Sequence, residues 1–236
     1  MRQPLQAMRL MGALILGVSC ATVEAAPARY PDMAPVARYR MPDRAAEVAL
    51  ARSAAPAVIS RRAQVLVLGR HGYQTAVAGH NGFTCLVIRS WDLRFNDPEF
   101  WNPKIRSPQC FNAAAARSVL PRYLERTRWV LAGDSIASMR ARSRTERTVR
   151  GSGKPAPGSM CYMMSEGGYL NDIVRGPWRP HVMMYVADMP AAKWGANLAG
   201  SPVFADSTSY EPITIFMVVV PRWSNGASAG GKTPGD

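Results

Sequence analysis

The alternation of apolar and polar residues is sharpest between Ala63 and Asp92, AQVLVLGRHGYQTAVAGHNGFTCLVIRSWD. Ala63–Leu68 is an apolar run with valines at alternate positions, the mark of a strand with one or both faces covered. Glycines bracket the turn Gly69-Arg70-His71-Gly72. In Tyr73–Ala78, Tyr73, Thr75 and Val77 share one face, Gln74 and Ala76 the other. Gly79-His80-Asn81-Gly82 closes on Asn-Gly, a strong hairpin signal because both residues tolerate positive φ. Phe83–Ile88 is largely apolar on both faces, which places it inside a sheet. The pattern predicts a three-strand meander against which the rest of the chain packs.

Helical spacing appears on either side of it. Ala45–Ser60 begins as a short helix and breaks at Pro56. Asn112 is a good N-cap for Ala113–Leu120, and Pro121 kinks that helix or restarts it. Leu120, Leu124, Thr127 and Leu131 continue at helical spacing until Gly133, after which Asp134 or Ser135 caps a second helix, Ile136–Arg150. Leu93–Phe111 holds Pro98, Pro103 and Pro108 among Phe95, Phe100 and Trp101, which predicts an irregular but ordered loop over the sheet. Three later runs read as strands: Met160–Met164, His181–Ala187 and Ile213–Val220. Lys193–Asp206 reads as a glycine-punctuated loop. The expectation is an α+β domain over 45–223, with a mainly antiparallel sheet of about six strands, an N-terminal three-strand meander and inserted helices.

Both ends lie outside that pattern. Arg2 and Arg9 precede the short apolar run Leu10–Val18, and small residues follow, the layout of a secretory signal peptide over 1–26. A periplasmic or secreted protein is expected, with no transmembrane helix after cleavage; Cys20 also raises a lipoprotein alternative. Residues 27–44 read as a flexible leader and 224–236 as a disordered tail. The whole sequence of 236 residues carries a net charge of +13, and all but four of its 29 cationic side chains are arginine. Cleavage would leave about +12. Arg117–Lys154 alone contributes ten basic and three acidic residues. Arg140, Arg142, Arg144, Arg147 and Arg150 are the expected anion-binding residues, with envelope polymers or lipid headgroups as partners and no specific nucleic acid. No P-loop, dinucleotide fingerprint, zinc ribbon or aromatic RNA-binding pattern is present, and no cofactor is expected.

Cys85, Cys110 and Cys161 follow the leader, allowing one disulfide in three pairings. Cys85–Cys110 is favoured, because it would pin the loop after the third strand back onto it. The chain also resembles an uncharacterised family of exported bacterial proteins, on GRHGY (69–73), NGFTCLV (81–87) with RSW after it, PHVMMYV (180–186) and TIFMVVVPRW (214–223). That resemblance implies export and carries no activity.

Four constellations could carry chemistry. Cys85 could act as a thiol nucleophile with His71, His80 or His181 as base and Asp92, Asp172 or Asn81 to orient it. Ser135 lies in WVLAGDSIA, which resembles the nucleophile block of the GDSL/SGNH hydrolases; Gly168–Asp172 loosely resembles that family's G-x-N-D block with one residue too many. The family's late D-x-x-H block is not matched, because Trp178 stands three residues before His181. The three histidines could form a zinc site, though none are at ligand-like spacing, so no metal is assigned. The methionines Met160, Met163, Met164, Met183, Met184 and Met189 could bind copper, but core packing accounts for them. The expectation is a non-catalytic, envelope-associated or polyanion-binding protein. The alternative is a Cys/His or Ser/His hydrolase drawing on Cys85, Ser135, His181 and Asp172.

Overall fold

A computed structural model describes residues 29–149, 154–172, 178–207, 211 and 213–230, the side chains of 146–149 excepted. Gln64–Leu68 (β1) and Thr84–Ile88 (β3) are apolar on both faces and buried almost throughout. They lie next to each other and run parallel, with Gln64 opposite Thr84 and Val65 opposite Cys85. Tyr73–Val77 (β2) pairs antiparallel with the other edge of β1. The expected meander is therefore not formed: β1, not β2, is the middle strand of the three. Burial explains the order. β2 is half exposed and suits a sheet edge, whereas two strands apolar on both faces gain most from being interior neighbours.

The Asn-Gly signal is used for a crossing, not a hairpin. After β2 the chain passes the start of β1, where His80 N donates to Arg62 O at 2.9 Å. A Cβ on Gly79 would sit 2.1 Å from Gln64 N, so only glycine fits this approach. Asn81 Nδ2 donates to Ile59 O at 2.8 Å and its Oδ1 accepts from Phe83 N at 3.2 Å, turning the chain into β3.

The remaining strands are Ser107–Phe111 (β4), Met160–Met163 (β5), His181–Ala187 (β6), Val203–Ser207 (β7) and Ile213–Val219 (β8). One sheet orders them β2-β1-β3-β4-β5-β6-β8-β7, antiparallel except for β1–β3. The α+β class holds, with eight strands in place of about six. The two extra strands fall in stretches read as loops. β4 carries Pro108, yet it pairs with β3 along its whole length, while β5 reaches only Cys110 and Phe111; the missing N–H therefore costs no ladder bond on that side. β7 is a five-residue edge strand of mixed polarity. Its outer side is closed by Asn197, whose backbone N donates to Val203 O and whose amide meets both Ala205 N and Ala205 O at 2.9–3.0 Å.

Arg44–Arg52 (α1) is the short helix expected before the break at Pro56, and Ala57–Ser60 (α2) adds one helical turn after it. Ala51, Ala54, Ala55 and Ala63 pack on Val65, Cys85, Val87 and Cys110. On the other face lie Ala113–Ser118 (α3) and Leu120–Leu131 (α4). Asn112 caps α3, its Oδ1 accepting from Ala115 N at 2.9 Å, and Pro121 opens α4. Val119, Leu120, Tyr123 and Leu124 meet Leu86, Ile88, Phe111, Met183 and Tyr185. Ile136–Val149 (α5) follows Gly133, whose φ is 84°.

Both ends differ from expectation where they are described. Residues 29–43 do not form a loose leader: Tyr39 is fully buried beside Trp91 and donates to Trp101 O at 2.9 Å. One tyrosine among prolines and arginines escapes a periodicity test, but its ring fills the gap between Trp91 and Trp101. Residues 224–230 make a turn in which Ser224 Oγ donates to Ser53 O at 2.6 Å. The expected signal peptide, 1–26, and residues 231–236 lie outside the described residues.

Candidate functional site

The face of the sheet beneath α4 is incompletely filled. Ile88, Gln109, Met163, His181, Met183, Tyr185, Ile213, Ile215 and Met217 form the floor of a cavity of about 320 Å³. Strand alternation selects them: β6 points His181, Met183 and Tyr185 to this side and Val182, Met184 and Val186 to the other. Tyr123 and Arg126 of α4 with the segment 92–97 form the roof; Leu170, Asn171 and Trp178 form one wall. Two ion pairs tie the roof to the far edge of the sheet: Arg126–Glu211 at 2.7 Å and Arg94–Asp206. Arg126 also lies 4.4 Å over the Phe95 ring and donates to Leu93 O at 3.0 Å. A void of this size is at the lower end of small-molecule pockets.

Three uncharged polar side chains sit in the apolar floor. Ser107, Gln109 and His181 are each under 9 % exposed. Gln109 Nε2 donates to Ser107 Oγ at 3.2 Å; the hydroxyl in turn meets Met163 Sδ at 3.9 Å, and Gln109 Oε1 meets Cys161 Sγ at 3.8 Å. His181 Nδ1 is 2.7 Å from Arg179 O. A carbonyl can only accept, so Nδ1 carries the proton. Burial lowers the imidazole pKa, which leaves Nε2 as an acceptor on a neutral ring.

Asp92 is the one buried carboxyl in the lining without a partner. Both its oxygens are sealed from solvent and accept no hydrogen bond. Burial raises its pKa well above the ordinary carboxylate range, and the Arg126 charge pulls it back only in part. Burial thus favours its neutral form. Tyr185 is likewise kept neutral by burial.

The other expected site residues lie elsewhere. Cys85 is bonded to Cys110 across the β3–β4 ladder. This is the pairing favoured from sequence; the Cys85 sulfur has no thiolate to offer, so the alternative in which Cys85 acts as a nucleophile is withdrawn. Cys161 is the spare thiol, buried and with its pKa raised by that burial. Ser135 Oγ accepts from Ser138 N at 3.2 Å at the start of α5, the work of a helix cap. Asp172, with its side chain only 4 % exposed, holds Arg29 at 3.3 Å and Lys104 at 3.1 Å and accepts from Tyr30 and Tyr169. Its pKa is lowered, chiefly by the Tyr30 hydroxyl; it anchors the N-terminal segment. Among the described residues no hydrogen bond joins His181 to Ser135 or Asp172, and no group of three metal-ligating side chains forms. His71 and His80 are exposed.

Of the expected anion-binding arginines, Arg140 lies 6.0 Å over Phe95, and Arg142 pairs with Asp134 at 3.3 Å and lies 5.8 Å over Trp129. Arg144 is exposed. The Arg147 and Arg150 side chains lie outside the described residues. Of the residues singled out from sequence as candidates for chemistry, His181, Asp92, Met163 and Met183 line the cavity. Ser107 and Gln109 were hidden in a segment that its prolines marked as a loop. Compared with protein-family models, curated proteins and solved structures, the chain matches none.

Proposed function

We propose that the protein is a binding domain for a small, mostly apolar molecule taken into the cavity between the sheet and α4. One observation carries this reading: about 320 Å³ is left open over a floor of methionine, isoleucine and tyrosine with three buried polar groups set into it. Close packing is the rule in interiors, and an apolar gap of this size loses contact energy unless something occupies it. Methionine suits such a floor because its thioether adapts to different shapes. The Cys85–Cys110 disulfide favours an oxidising compartment, in keeping with the expected export.

The methionines supply the test. With 13C-labelled methyl groups, p-xylene is expected to shift Met163, Met183 and Met217, which line the cavity, and to leave Met160 and Met184 on the opposite face unmoved. Absence of shifts in all three cavity methyls at saturating p-xylene overturns the reading.

A second property rests on α5, where Arg142 keeps 52 % of its side chain exposed and Arg144 is exposed as well. This surface suits anionic envelope polymers or lipid headgroups through unspecific attraction. Retention on a heparin column should fall with salt, and fall further in an Arg142→Glu/Arg144→Glu variant; unchanged retention removes this property.

A further inference from the structure

We propose that the molecule this cavity takes is uncharged, with a hydrogen-bonding head against Ser107, Gln109 and His181 and an apolar body against Met183, Ile213 and Met217. The proposal rests on the cavity-binding reading above and adds the class of ligand.

Two independent observations carry it. The first is charge matching around the cavity, among the described residues. Four arginines line it: Arg89, Arg94, Arg122 and Arg126. Arg89 is paired with Glu47 at 2.7 Å, Arg94 with Asp206, and Arg126 with Glu211, which also lies 3.9 Å from Arg122. Asp97 adds one more negative charge to the lining, and burial favours the neutral form of Asp92, whose oxygens meet no hydrogen-bond donor. Asp92 apart, four positive charges thus face four negative ones. A charged ligand entering this space would shed its hydration without finding a spare counter-charge in a low-dielectric site.

The second is the state of the floor groups. Ser107 and Gln109 are buried, yet each leaves one polar function to sulfur: the Ser107 hydroxyl accepts from Gln109 Nε2 but donates its own proton to the Met163 thioether, and Gln109 Oε1 faces the Cys161 thiol. Sulfur is a poor partner in both directions, so these atoms remain able to make a full-strength bond to an incoming head. His181 adds an acceptor at Nε2, because its Nδ1 is committed to Arg179 O. Together they present donors and acceptors without a net charge, which fits an amide, an alcohol or a ketone.

The experiment compares three probes with one eight-carbon chain at pH 7, octanamide, octanoate and octylammonium, by the same methionine-methyl titration. Octanamide is expected to bind about tenfold more tightly than either ion. In Gln109→Leu and His181→Phe variants its affinity should drop about fivefold or more, while p-xylene affinity stays within about twofold. The wild-type probe series needs no variant to fold. Octanoate binding as tightly as octanamide overturns the proposal in favour of an anion site at Arg122. Equal or tighter octylammonium binding overturns it in favour of an ionised Asp92. Binding of p-xylene with no head-group preference overturns the proposal and leaves the cavity-binding reading intact; failure of p-xylene itself overturns both.

Discussion

The two faces of the sheet are built to different rules. Under α1 and α2 the contact residues are alanines, valines and a disulfide, and the helix lies close enough that Ala51, Ala54 and Ala63 have no exposure at all. Under α4 the contact residues are Arg122, Tyr123 and Arg126, opposite methionines and isoleucines, and a cavity remains. Small side chains let backbones approach; large ones, propped by ion pairs, hold them apart. The difference teaches that one sheet can serve as a rigid base on one side and a receptive floor on the other, with alternation along each strand dividing the labour.

The largest expected effect breaks the close face. Glu47→Ala strips the partner from Arg89, whose side chain is fully buried and paired at 2.7 Å. Leaving that charge unpaired should cost about 3–5 kcal/mol in urea unfolding. Next comes the crosslink. The Cys85→Ala/Cys110→Ala variant removes a 25-residue loop closure and should lose about 3 kcal/mol. The third is a paired comparison. Ala54→Leu should destabilise by about 1–3 kcal/mol, because no room exists for it. Ile215→Phe, whose added volume can enter the cavity, should change stability by less than about 1 kcal/mol. If the two substitutions cost the same, the contrast between the faces is lost.

The smallest effect is one of pH. A carboxyl whose folded pKa is raised is protonated when folded but ionised when unfolded at any pH between its two pKa values. Asp92 therefore subtracts stability as pH climbs above the ordinary carboxylate range and subtracts nothing below it. Lowering pH from 7 towards 4 should narrow the gap in Tm between Asp92→Asn and wild type. His181 has a lowered pKa and acts in the opposite sense, losing stability as pH falls through the ordinary histidine range, but it does so equally in both proteins. A Tm difference constant with pH would show that Asp92 is ionised in the folded protein.

Much of this architecture was legible in the sequence. Alternation in HVMMYVA put His181 on one face with Met183 and Tyr185, and the caps at Asn112 and Ser135 bound their helices where the residue types said. What escaped was non-local. Asn81-Gly82 has the chemistry of a hairpin, and only the approach of Gly79 to Gln64 reveals that the chain crosses β1 instead. Pro108 disguised β4, because a proline is admissible only where the neighbouring strand stops short, and that stop lies some fifty residues later in the chain. The cavity has no motif for the same reason: its polar floor is assembled from β4 and β6, which are separated by three helices and a further strand.

Asn197 has a wider consequence. With its φ of 61° it lays one backbone and two side-chain bonds along the rim of β7, supplying the contacts that a visiting strand would otherwise make. An open rim is where sheets recruit copies of themselves into dimers and fibres. By carrying its own stopper, the chain can crowd at high concentration without zipping together along this side, and a single amide, rather than a whole covering helix, secures that solitude.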